Sequence, residues 1–162
     1  MKQTVYIETS IPCFYYEIRS EPEMVARKEW TRQWWERYSH NYFMVTSEVV
    51  LDELNNADYP NKNQVMELVK TIPLIPVELP VTEIVQTYVK HKVMPQDPLG
   101  DALHLALASY HKCDFLLTWN CNHLANANKF NHIRRINTML GLFVPALVTP
   151  LQLLGGKQIY EG

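Results

Sequence analysis

Short runs of β-branched and aromatic residues alternate along the chain with longer stretches whose apolar positions recur every three or four residues. That is the pattern of strands alternating with helices. Residues 4–7, Thr-Val-Tyr-Ile, stop at Glu8 and predict a short strand buried on both faces. Ser20-Glu21-Pro22-Glu23 has the form of a capping box with proline in the first turn. It predicts a helix from there to about residue 39, carrying Trp30, Trp34 and Trp35. A second strand over 42–45 leads into Thr46-Ser47, a natural N-cap for a helix to about residue 55. Residues 55–63 form a loop, and 64–70 a short helix. Residues 74–79 are apolar but interrupted by Pro76, which predicts a short edge strand, and Thr82 then caps a helix to about residue 93.

Asp97-Pro98 opens a helix over 99–110 that is rich in Ala and Leu. A strand over 115–118 follows, then an Asn-rich turn through residue 128. A helix over 133–140 ends at Gly141, which suits the left-handed position after a helix, and 145–149 supplies a last strand. There is no internal repeat, low-complexity segment or linker. This alternation predicts an α/β fold with a mostly parallel sheet and helices on both faces, whose functional site lies at the carboxyl ends of the strands.

Just past those strand ends stand Glu8-Thr9-Ser10 and Asn120-Cys121-Asn122, while Glu53 and Asp101 sit early in two helices. Asp101 shares a helix face with His104, Leu105 and Ala108 by the three- and four-residue spacing. A carboxylate in such an apolar helix is costly to bury without a partner. Magnesium and manganese prefer oxygen ligands, and carboxylates gathered from separate elements supply them. Each position also has a plain structural role: Glu8 as a solvated strand end, Glu53 as an exposed helix residue, Asp101 as a partner of a helix N-terminus. Thr9 and Ser10 carry hydroxyls suited to orienting water or phosphate, or simply to capping a turn. His104 is read as a packed or solvent-facing histidine ahead of a substrate contact.

Composition narrows the classes. The 162 residues are 47% hydrophobic and 20% charged, enough for one domain with a sizeable core. Fifteen basic against seventeen acidic residues give a net charge of −2, which disfavours a uniformly basic nucleic-acid binder but leaves room for a local patch. Two groups qualify: Arg19, Arg27, Lys28, Arg32 and Arg37 around the first long helix, and Lys129, Arg134 and Arg135 around the last. Three cysteines without framework spacing favour a reducing compartment. A carboxylate at position 8 and the lack of a long apolar run argue against a leader or membrane span, so a cytoplasmic location is expected. His111-x-Cys113 and Cys121-x-His123 flank a predicted strand and are poorly spaced for zinc.

Four pieces in order then carry a resemblance: Tyr6-Ile-Glu-Thr-Ser10, Ser47-Glu-Val-Val-Leu-Asp-Glu-Leu54, Gly100-Asp-Ala-Leu-His-Leu-Ala106 and Asp114-Phe-Leu-Leu-Thr-Trp-Asn120. The chain resembles the PIN-domain ribonucleases, specifically the VapC-like toxins of bacterial toxin–antitoxin pairs. The resemblance implies a single PIN-like domain over 1–155 with a short tail over 156–162, built as a three-layer α/β/α sandwich. It implies a Mg2+- or Mn2+-dependent endoribonuclease hydrolysing RNA phosphodiester bonds. Glu8, Glu53 and Asp101 match the acidic metal ligands, Asn120 the fourth catalytic position, and Thr9, Ser10 and Asn122 positions that meet substrate. Glu8 stands where the family usually carries Asp, and Asn120 where Asp is frequent. That charge set implies one well-held ion and a second arriving with substrate. Partners implied are RNA, a small cognate antitoxin and a second copy in a homodimer. The alternative is a catalytically silent PIN-like domain that binds RNA or protein.

Overall fold

The computed structural model describes residues 1–93 and 98–155. The chain opens with β1 (Gln3–Ile7) and α1 (Ser10–Tyr15). Next comes α2 (Pro22–Gln33), which runs on through a π-helical turn, Trp34–Tyr38, and a 3-10 turn, Ser39–Asn41. Then follow β2 (Tyr42–Val45), α3 (Glu48–Asn56), α4 (Lys62–Lys70), α5 (Leu79–Lys90) and α6 (Pro98–Tyr110). The described chain closes with β3 (Phe115–Leu117), α7 (Ala127–Met139), β4 (Ala146–Val148) and a 3-10 turn, Pro150–Leu153.

All four strands are parallel, in the order β2-β1-β3-β4. Such short strands read as continuous apolar runs because both faces are covered. Tyr6 and Leu116 point to one face, packing with Val50 and Leu54 of α3, Leu105 of α6 and Ile133 of α7. Val5, Ile7 and Leu117 point to the other, against Phe14, Trp34 and Leu153. The architecture is α/β, consistent with a three-layer α/β/α sandwich. From β1 the chain first builds outward to β2, then returns to place β3 on the opposite side. The reversal leaves a crevice between the carboxyl ends of β1 and β3, the place where parallel α/β sheets bind ligands.

Several expected elements are corrected. Residues 74–79 do not form a strand. Leu74 makes only an isolated bridge to Thr46, with Thr46 N donating to Pro73 O (2.9 Å) and Ile75 N to Thr46 O (2.8 Å). The ladder goes no further because its partner segment turns at Ser47 into α3, which begins at Glu48. α5 starts three residues before Thr82, whose hydroxyl bonds Leu79 O inside the helix instead of capping it. α2 begins at Pro22 after Glu21, with no side-chain cap, so the capping box does not form. α7 starts at residue 127 and not 133, because Asn126 caps it by accepting from Asn128 N (2.9 Å). Gly141 takes the expected left-handed conformation just beyond the helix, at φ +69°. Asp97 and the tail 156–162 lie outside the described residues. Among the described residues, no helix is long and apolar enough to cross a membrane.

Candidate active site

Glu8 follows β1 directly, at the crevice, and is 7% exposed. A carboxylate there needs donors, and the adjoining hydroxyls supply them. Its Oε1 accepts from Ser10 N (3.1 Å), Ser10 Oγ and Thr118 Oγ1 (2.6 Å). Those two hydroxyls in turn accept from the backbone just past β3: Trp119 N donates to Ser10 Oγ (2.8 Å) and Asn120 N to Thr118 Oγ1 (2.9 Å). Glu8 thus ties the carboxyl end of β1 to that of β3 through one oxygen. Its Oε2 accepts no hydrogen bond among the described residues.

Glu53 is held in a similar way. Its Oε1 accepts from Thr9 Oγ1 (2.6 Å) and lies 2.6 Å from His104 Nε2. His104 is 1% exposed. Its Nδ1 meets the Tyr6 hydroxyl at 2.7 Å, and that hydroxyl meets Ser47 Oγ at 2.7 Å. A line of buried polar groups therefore runs from the N-terminal end of α3 through β1 and α6 to Glu53. Gly100 completes the contact: a Cβ there would stand 3.0 Å from Glu53 Oε2, so the carboxylate lies against bare helix backbone. One turn before His104, Asp101 accepts from Asn120 Nδ2 on both of its oxygens (3.0 Å each). Asn120 is oriented in turn by His123 N, which donates to its Oδ1 (3.1 Å).

The electrostatics follow from this packing. Burial pushes the Glu53 carboxyl up, but the hydrogen bond and charge of His104 and the Thr9 hydroxyl outweigh it and hold it below its ordinary value. Burial pushes the His104 imidazole down, but its bond to Glu53 and the charges of Glu8, Glu53 and Asp101 outweigh that and hold it above its ordinary value. Both shifts favour an imidazolium–carboxylate pair. Burial and the Glu8 charge raise the Asp101 carboxyl, against the opposing pull of His104, His123 and Asn120. Glu8, Glu53 and Asp101 therefore all favour the charged form of His104.

The sequence expectations land as follows. Glu8, Glu53, Asp101 and Asn120 face the same crevice. Thr9 and Ser10 are there too, with their hydroxyls committed to Glu53 and Glu8. Asn122 is exposed, and its backbone carbonyl accepts from Asn126 Nδ2 (3.3 Å). Asp114 sits at the opposite, amino end of the sheet, where its carboxylate accepts from Thr4 N (2.8 Å). Sequence reasoning did not assign His104, Tyr6, Ser47 and Thr118 to the site. The signal for His104 was present: an ionisable side chain three residues after Asp101 in an Ala/Leu helix needs a buried partner.

Among the described residues, no three His, Cys, Asp or Glu side chains stand close enough to hold one ion. An ion here would require the carboxylates to draw together. The donor chemistry nevertheless fits a hard divalent cation, because among the described residues the uncommitted atoms, Glu8 Oε2 and Glu53 Oε2, are carboxylate oxygens, and the Asp101 carboxylate is bonded only to an amide. No protein-family model matches the chain, and no curated protein shows significant similarity to it.

Proposed function

We propose that the protein is a divalent-metal-dependent endoribonuclease of the PIN type, hydrolysing RNA phosphodiester bonds, and that it acts as the toxin of a toxin–antitoxin pair. The observation that carries this reading is the indirect linkage of Glu8, Glu53 and Asp101, from three separate elements, through Thr9, Thr118 and Asn120 at the carboxyl ends of β1 and β3. Glu8, Glu53 and Asp101 would hold Mg2+ or Mn2+, which supplies an activated water at neutral pH and offsets phosphate charge. The chain's own residues prepare that site. Ser10 and Thr118 fix Glu8 through one oxygen and leave the other uncommitted. His104 and Thr9 do the same for Glu53, and Asn120 holds Asp101 by both oxygens. A small antitoxin would cover this centre by presenting a basic side chain to the carboxylates, and the toxin itself would be a homodimer.

The separation of the three carboxylates favours one other reading, a catalytically silent domain that binds RNA or protein. Cleavage of a mixed-sequence single-stranded RNA separates the two. The nuclease reading expects cleavage that is absent in chelator and saturates with added Mn2+ or Mg2+. RNA left intact at every metal concentration would contradict it.

Two variants probe the ligand set. Asn120→Asp removes the amide that donates to Asp101 and places a carboxylate beside it, so the metal-free protein should lose about 1 kcal/mol in urea denaturation. Mn2+ should bind it more tightly, with equal or higher cleavage. Unchanged Mn2+ affinity would place Asn120 outside the coordination shell. Gly100→Ala should fold normally, since the crowded atom is the far end of a flexible side chain. Its cleavage rate should fall about tenfold or more, because a small misplacement of a positioned group is enough for such a loss. Full activity in that variant would show that the position of Glu53 does not matter.

A further inference from the structure

Of the two basic groups along the chain, the first has three of its five cations engaged by neighbouring side chains and backbone. Arg19 donates to both oxygens of Glu17 (2.9 and 2.7 Å). Arg27 pairs with Glu23 (2.8 Å) and stacks over Trp119 and Phe14, while Arg32 donates to Tyr15 O (2.8 Å) and covers the Tyr15 ring. These cations hold α1 and α2 together. α7 has no acidic residue, and among the described residues no carboxylate lies within ion-pair reach of Lys129, Arg134 or Arg135. Asn131, Arg134, Arg135 and Thr138 are exposed on one open face of the helix. The opposite face, with Ile133 and Ile136, is buried.

α7 is also attached to the acidic centre. Leu124 N and Ala125 N both donate to Asn120 O (3.1 and 2.9 Å), so the turn that places Asn120 leads straight into the helix start at residue 127. Lys129 Nζ reaches His123 Nδ1 at 3.5 Å at that end. From Asn131 to Thr138 the donors then extend about 10 Å along the axis. Amide, guanidinium and hydroxyl groups in a row, without a compensating acid, suit a ligand that is anionic at regular intervals.

We propose that this outward face of α7 is a track for the phosphate backbone of single-stranded RNA leaving the acidic centre, with Arg134 and Arg135 as its main contacts. The track rests on the nuclease reading for its direction, but not for its measurement. The test is fluorescence anisotropy with a labelled mixed-sequence single-stranded RNA in chelator, read across a salt series. Each phosphate neutralised on a single strand contributes about 0.7 to the slope of log K against log salt. The Arg134→Gln, Arg135→Gln double variant should bind at least about tenfold more weakly at low salt, with a slope lower by about 1.4. Arg19→Gln should bind like the parent protein. Parent-like affinity and slope in the double variant, or no RNA binding by the parent, would overturn the track. Arginine-dependent binding of poly-glutamate in place of RNA would overturn it too, assigning the face to an acidic protein. Cleavage with manganese is scored separately. Arginine-dependent RNA binding without cleavage removes the nuclease reading and leaves the track, and cleavage with binding insensitive to α7 does the reverse.

Discussion

Asp101→Asn should lower RNA cleavage by at least about a hundredfold while leaving the protein folded. The change keeps shape and nearly all volume but removes the charge a divalent ion needs, and metal sites supply several kcal/mol of transition-state stabilisation. Stability without metal should hold or rise. The Asp101 carboxyl is pushed above its ordinary value by burial and by Glu8, so its ionised form is less favourable in the folded protein than in the unfolded chain. The amide oxygen introduced by the substitution can still accept from Asn120. The competing role for Asp101, in the first turn of α6, is to complement the helix N-terminus. That role predicts a loss of about 0.3–1 kcal/mol with cleavage intact. Urea denaturation and cleavage rates on the same preparation distinguish the two patterns.

His104→Ala should be the most destabilising change in the site, costing about 2–5 kcal/mol. It opens a cavity beneath α6 and leaves the buried Tyr6 hydroxyl without the imidazole, and Glu53 without its cation. The loss has a defined pH dependence in metal-free protein. The folded imidazole lies above its unfolded value of 6.5, so its contribution is fully present below that value and fades as pH rises through the folded one. The stability gap between parent and variant should therefore be wider at pH 6 than at pH 9. A gap that widens toward alkaline pH would mean that His104 is held neutral. Cleavage should fall as well, because Glu53 loses one of the two donors that fix its Oε1.

Much of the architecture was legible in the sequence because the strands are short, apolar and punctuated. The run over 4–7 ends at a carboxylate, and the run over 42–45 at Thr46-Ser47. Both strands fall within a residue of those bounds. Where reading failed, a local signal was overridden. Ser47 occupies the predicted cap position, yet its hydroxyl is spent on Tyr6 and makes no cap bond. Residues 74–79 have strand composition, but the segment they pair with turns into α3 just after Thr46, so only one bridge forms among the described residues. The early start of α7 was hidden in an Asn-rich stretch, where Asn126 is a cap and not a turn residue.

The order of the polar positions was readable from the sequence, and the hydrogen-bond network that joins them was not. Glu8 and Asn120 fall just past β1 and β3 and Asp101 in the first turn of α6, because strand ends and helix starts are marked by sequence, whereas Glu53 lies in the second half of α3 and not near its start. Which hydroxyl serves which carboxylate depends on the spacing between β1, α3 and α6, which no single segment encodes. Thr9 therefore serves Glu53, a distant residue in sequence, while its neighbour Ser10 serves Glu8. Tyr6 looked like a core residue, and it is one, but its hydroxyl also supports His104.

The central claim is that the crevice holds a divalent ion through Asp101 and its neighbours. Calorimetric titration of Mn2+ into metal-stripped protein and its Asp101→Asn variant tests it most directly. The account predicts saturable binding to the parent and affinity at least about tenfold lower in the variant, since even partners outside the coordination shell cost that much. Equal affinity in a folded Asp101→Asn protein, or no saturable binding to the parent, would contradict it.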